Sequence, residues 1–173
     1  MMLITYEPLE MKEEELEHIV SIYLNAHSKD DHFVRNRFEK HSSYPGFVGL
    51  RAICNEEVVG FAYGYTTIND SSYHSDLTQL LNEKEKNEWL SNCFEFVELA
   101  VLPHYSGQGI ASTLEKRLLD KSDHDTSIFK TGIENVKART LYTNLGWEPV
   151  KEGPLADGGE MIIMGKQLQR TEY

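Results

Sequence analysis

The chain has 173 residues, 17 of them lysine or arginine and 28 aspartate or glutamate, for a net charge of −11. That length holds one domain with a sizeable core and is short for two. The charge argues against nucleic acid and against a basic membrane-binding patch, and it suits a cationic ligand. Cys54 and Cys93 lie far apart in apolar runs with no CxxC spacing, which predicts two buried, reduced thiols. No basic-plus-apolar leader and no apolar run of membrane-spanning length is seen, so a cytoplasmic location is expected.

Leu3 to Glu7 alternates as a first strand, closed by Pro8. Leu16, Ile19, Val20, Tyr23 and Leu24 then recur at helical spacing. Glu13, Glu14 and Glu15 load that helix's start, where the dipole favours them, and predict a solvated first turn. Ser28-Lys29-Asp30-Asp31 breaks the pattern, and Phe33, Val34 and Phe38 predict a short second helix ending near 43–46. His27, Asp31 and His32 cluster here without a ligand spacing such as HExxH, so no metal is expected. Phe47–Cys54 and Val58–Ile68 flank the polar Asn55-Glu56-Glu57 as a hairpin. Phe61, Tyr63 and Tyr65 share one face of its second strand, either as packing or as the wall of a pocket.

After a loop over 69–74, Ser75 or Asp76 can cap one helix that carries Leu77, Leu80 and Leu81 and ends near Trp89. Cys93 to Val101 is a strand rich in aromatic and β-branched residues, ended by Pro103. Gly107 and Gly109 open a helix whose buried stripe is Ile110, Ala111, Leu114 and Leu118. Ser127–Ile133 is the next strand. Asn135 caps a helix with the stripe Ala138, Leu141, Tyr142 and Leu145, stopped by Gly146. Trp147–Val150 and Glu160–Leu168 complete an α/β order of β-α-α-β-β-(α)-β-α-β-α-β-β.

Two features carry chemistry. The glycine pair after a strand and before a helix lets backbone N–H groups crowd around an anion, with the helix dipole behind them; the plain reading is a chain turn. No Lys-Ser or Lys-Thr follows, which excludes a P-loop, and Ser112 stands at the third glycine of a dinucleotide GxGxxG. Glu98 shares a strand face with Phe94, Phe96 and Ala100, while Val97, Leu99 and Val101 make the other face apolar. A carboxylate so placed is desolvated and becomes a stronger base, or it is a structural glutamate held by a backbone group or a cation.

Val101-Leu102-Pro103 followed by Ser106-Gly107-Gln108-Gly109-Ile110-Ala111 resembles the acetyl-CoA pyrophosphate loop of the GNAT N-acetyltransferase superfamily, Arg/Gln-x-x-Gly-x-Gly/Ala. Gly109 and Ala111 fit, and Ser106 departs. Asn135 to Trp147, NVKARTLYTNLGW, resembles that family's N-x-x-A-x-x-x-Y-x-x-x-G-[FW] segment at every position. The resemblance implies a single domain over residues 1–173, a mixed twisted central sheet with helices on both faces, and a helical insertion near 75–91. The insertion forms a lid or part of the acceptor site, and its charged stretch Asn82 to Glu88 is equally read as a solvated face.

It further implies acetyl-CoA as co-substrate, held by the backbone of Leu99, Ala100 and Val101, by Ser106, Gly107, Gln108, Gly109, Ile110, Ala111 and Ser112, and by Asn135. Lys137 and Arg139 lie beside the phosphates or in solvent. Glu98 is the base, directly or through water, with Glu95 as the fallback; Tyr142 protonates the leaving thiolate. His27, Asp30, Asp31 and His32 line the acceptor side or are ordinary loop polarity, and Tyr63 and Tyr65 wall it. The implied reaction is direct acetyl transfer to an amine of a small molecule or protein, with no metal, nucleic acid or membrane, and a homodimer is compatible with it. The rivals are a non-catalytic acyl-CoA-binding module and, from the glycine turn alone, a dinucleotide oxidoreductase.

Overall fold

The computed structural model describes residues 3–27, 33–68, 76–155 and 158–168. Among these, seven strands and six α-helices follow in the order β1 (Ile4–Pro8), α1 (Glu13–His27), α2 (Val34–His41), β2 (Val48–Cys54), β3 (Glu57–Thr66), α3 (Asp76–Leu80), α4 (Glu83–Trp89), β4 (Cys93–Val101), α5 (Ile110–Lys121), β5 (Thr126–Gly132), α6 (Val136–Asn144), β6 (Glu148–Pro154) and β7 (Glu160–Gln167). A short 3-10 turn at Pro103–Tyr105 follows β4. The strands form one sheet in the order β1-β2-β3-β4-β5-β7-β6. It is mixed: β4 and β5 run parallel, whereas β1 with β2, β2 with β3, β5 with β7 and β6 with β7 are antiparallel. Pro8 is the last residue of β1 instead of lying beyond it, a position open to proline on an edge strand.

The chain divides into two compact units, Met1–Tyr65 with Val97–Asp123 and Thr66–Phe96 with His124–Tyr173. In the first, α1 buries Leu16, Ile19, Ile22 and Tyr23 in a core with Val34 and Phe38 of α2, Phe61 and Tyr63 of β3, and Ala100 of β4. The acidic first turn of α1 is not uniformly solvated as expected. Glu15 is buried because its carboxylate turns back to accept the Glu10 N–H at 2.8 Å, and only Glu13 and Glu14 face water. The β2–β3 hairpin turns through Asn55 at φ 50° and Glu56 at φ 67°, the two left-handed residues of a type I′ turn.

In the second unit the single helix expected up to Trp89 is two. Asn82 interrupts it, accepting the Glu85 N–H at 2.8 Å while Glu85 Oε1 accepts the Asn82 N–H at 3.0 Å. This capping box starts α4 afresh; Ser75 lies outside the described residues. Leu77, Leu81, Trp89 and Leu90 join Cys93, Ile128 and Ile163 in the unit's own core, and Lys151 Nζ of β6 holds Glu85 at 3.0 Å. A Cβ on Gly165 of β7 would fall 2.5 Å from Cζ3 of Trp89, so the indole is seated where the strand has no side chain.

The end of α6 shows why the Asn-Leu-Gly-Trp run stops a helix. Gly146 takes φ 96°, its N–H reaches the Thr143 carbonyl at 3.1 Å, and the Trp147 N–H reaches the Tyr142 carbonyl at 3.0 Å. That is a Schellman closure, with the Trp147 ring against Tyr142 at 5.3 Å as its hydrophobic contact.

Candidate active site

In the first unit the second half of β4 leads into the glycine turn. Ala100 is buried and Leu99 and Val101 are half-buried, and the chain leaves the sheet where the Leu102 N–H donates to the Val59 carbonyl at 2.8 Å. Ser106 closes the 3-10 turn: both its N–H and its hydroxyl donate to the Pro103 carbonyl, at 3.1 and 2.8 Å. Its hydroxyl is thereby engaged within the turn, which is what a serine offers here in place of arginine or glutamine.

Gly107 and Gly109 stand at φ 77° and 79°, and no atom lies within 4 Å of where either would carry a Cβ. Backbone conformation, not crowding, requires them. Gly109 is the N-cap of α5 and has no side chain to cap it, so the first-turn N–H groups of Ile110, Ala111 and Ser112 carry the helix's positive end outward. Gln108 and Ser112 are exposed; the Ile110 side chain is buried in the core, and Ala111 is half-buried. Leu119 and Glu115 extend the buried stripe of α5 beyond the expected positions.

Glu98 is half-buried, and its strand is less apolar in its surroundings than the sequence suggests. The guanidinium of Arg37 on α2 lies 3.9 Å away, Nη2 to Oε1. Tyr63 is fully buried; its hydroxyl lies 2.8 Å from His41 Nδ1, and burial, with Glu98 adding and Arg37 opposing, pushes its pKa up. Tyr63 packs edge-on to Phe38 at 5.5 Å, and Tyr65 lies 5.2 Å from the His41 ring and 4.8 Å from Tyr44. His27 ends α1 with its ring 4.6 Å from Tyr23. Asp30, Asp31 and His32 lie outside the described residues.

Arg37 and His41 were not expected. They are spaced i, i+4 on α2, a helical signal carried by polar positions, whereas the apolar positions Val34 and Phe38 alone define the expected helix.

In the second unit Asn135 caps α6, accepting the Ala138 N–H at 3.2 Å and donating to Thr131 Oγ1 at 3.1 Å. Lys137 is exposed, whereas Arg139 donates to the Ile133 carbonyl at 2.8 Å. Tyr142 is buried, stacked on Phe129 at 4.0 Å and edge-on to Phe96 at 5.8 Å. Glu95, in the first half of β4, is more buried than Glu98. Among the described residues no group of three or more His, Cys, Asp or Glu is placed to hold a metal ion, and no helix is long and apolar enough to cross a membrane.

The glycine turn that opens α5 and the capped, glycine-stopped α6 both lie in a stretch, residues 12–147, that matches the acetyltransferase (GNAT) family. The chain belongs to the GNAT family. A GCN5-like protein acetyltransferase of Mycobacterium tuberculosis is 26% identical over 126 residues, 67% of this chain and 61% of that one. The GNAT chain described here thus spans about three fifths of that relative's length. Its fold is that of the ribosomal-protein-S18-alanine N-acetyltransferase of Escherichia coli, at TM-score 0.69 and 18% identity over 98% of this chain and 97% of that one. It is likewise similar to Arabidopsis thaliana NAA60 in complex with acetyl-CoA, at TM-score 0.69 and 15% identity over 96% and 99% of the two chains.

Proposed function

We propose that this GNAT-family chain is an acetyl-CoA-dependent N-acetyltransferase, a single domain over 1–173 with a helical insertion near 75–91, acting on the amine of a small molecule or protein. The observation that carries this is the Ser106–Ser112 turn, with two glycines at positive φ before an α5 start that no side chain caps. Backbone donors and helix dipole there favour the pyrophosphate of CoA. Leu99, Ala100 and Val101 offer backbone groups to the pantetheine arm and thioester carbonyl. Glu98 removes a proton from the acceptor amine, and Tyr142, at the family's motif position, returns one to the thiolate.

Direct transfer, with no acyl-enzyme, is supported by the burial of both thiols, Cys54 and Cys93, neither of which is joined in a disulfide. Two cysteines without a disulfide also suit a reducing, cytoplasmic location. A second reading, a non-catalytic acyl-CoA-binding module, is favoured by the Ser106 hydroxyl being engaged with Pro103.

An amine panel assayed for CoA release separates the two. The transferase reading expects turnover that falls about a hundredfold or more in Glu98→Gln while acetyl-CoA binding survives. Gly109→Glu, which puts a negative charge at the helix start, is expected to abolish acetyl-CoA binding in calorimetry. Unchanged affinity in that folded variant removes the turn from the binding site, and binding with no turnover of any amine selects the module.

A further inference from the structure

Arg37 is surplus to the transfer chemistry, yet it is held in place. Its guanidinium carbon lies 5.4 Å from the Tyr23 ring centroid and 5.6 Å from that of Phe38, both buried rings of the first unit's core. Its Nη2 is 3.9 Å from Glu98 Oε1, an ion pair too long to be a hydrogen bond. The two side chains keep 35% and 16% of their surface in solvent, so both are partly open to it. The Tyr63 hydroxyl, hydrogen-bonded to His41 at 2.8 Å, feels both charges. A cation, a carboxylate and a hydroxyl thus share one aromatic wall built by α1, α2, β3 and β4.

We propose that the acceptor is a free amino acid, its amine taken by Glu98 and its carboxylate by Arg37. This rests on the N-acetyltransferase reading above and names the class of amine. From bond geometry, the nitrogen of an α-amino acid is about 3 Å from its nearer carboxylate oxygen. That span is comparable to the 3.9 Å between Arg37 Nη2 and Glu98 Oε1, so a ligand lying beside the pair sets each of its ends against the opposite charge. The guanidinium fork suits a carboxylate, which it binds through two parallel N–H groups.

The step balances. Glu98 takes one proton from the ammonium, the neutral nitrogen attacks the thioester carbonyl, and the carbon–sulfur bond breaks. The nitrogen's second proton goes to the departing thiolate, giving CoA thiol, N-acetyl amino acid and, from Glu98, one proton released to solvent.

The test compares free amino acids with their amides as acceptors, in the wild type and in Arg37→Gln and Arg37→Lys, with acetyl-CoA binding measured by calorimetry. Amino acids are expected to exceed their amides by about tenfold to a hundredfold in kcat/KM. Arg37→Gln should erase that preference chiefly through KM, Arg37→Lys should restore part of it, and acetyl-CoA affinity should stay unchanged in both. Equal turnover of acids and amides by the wild type, which needs no variant to fold, overturns the proposal; so does an undiminished preference in folded Arg37→Gln. Acetyl-CoA binding with turnover confined to amines lacking a carboxylate overturns it while leaving the transferase reading standing. Absence of acetyl-CoA binding removes both.

Discussion

Tyr142 carries two demands that one oxygen atom separates. Its ring stacks on Phe129 at 4.0 Å and meets Trp147 edge-on at 5.3 Å, so the ring belongs to the packing whatever the hydroxyl does. Tyr142→Phe keeps those contacts. If the hydroxyl protonates the thiolate, turnover should fall about a hundredfold or more, the lower range for a lost general acid, with the melting temperature nearly unchanged. The converse pattern, full turnover with a lower melting temperature, assigns the hydroxyl to packing. His41 presents the opposite case, because it partners the hydroxyl of a fully buried tyrosine. His41→Ala strands that hydroxyl at a cost of about 1–3 kcal/mol, read as a lowered denaturation midpoint. At this scale the sequence singles out Glu98 and Tyr142 as candidates because each stands inside a regular pattern. Arg37 could not be paired with Glu98 from sequence, since the two meet only when α2 packs over β4.

Elements were legible where one local signal dominates. The strand from Cys93 to Val101 falls where its composition and Pro103 place it, and α6 starts at Asn135 and stops at Gly146 as its caps dictate. The insertion was misjudged because its leucines repeat at helical spacing across Leu81, and the Asn82-x-x-Glu85 box that splits it is read only when caps are weighed inside a periodic run. Its docking on β7 makes a sharp prediction. Gly165→Ala would press a methyl group into the Trp89 indole, so the melting temperature should fall, by about 1–3 kcal/mol of stability for such overpacking. The β2–β3 turn predicts the reverse sign. Glu56 holds φ 67°, where a side chain costs about 1–2 kcal/mol, so Glu56→Gly should raise the denaturation midpoint.

At the scale of the whole molecule, two buried groups among the described residues contribute to the response to alkali. Burial pushes the Cys93 thiol from 9.0 up to about 11, with Thr67 and Thr126 opposing through hydrogen bonds, and it raises Tyr63 as well. In the unfolded chain both ionise at their ordinary values, 9.0 and 10.0, before the folded chain can release the same protons. The Cys93 contribution is therefore fully present below pH 9 and is lost as pH rises from there through about 11, and that of Tyr63 starts to be lost only above pH 10, which denaturant midpoints measured across that range should trace.

The two cysteines fall one to each compact unit, Cys54 in the first and Cys93 in the second, and both are closed to solvent. A thiol-specific reagent can modify either only after its surroundings open, so the labelling rate of each residue becomes a clock for the unit that contains it. Equal rates mean that the units open together, and unequal rates mean that one exchanges with its open form while the other stays shut. No engineered probe is needed, because the native chain already carries one silent reporter for each half.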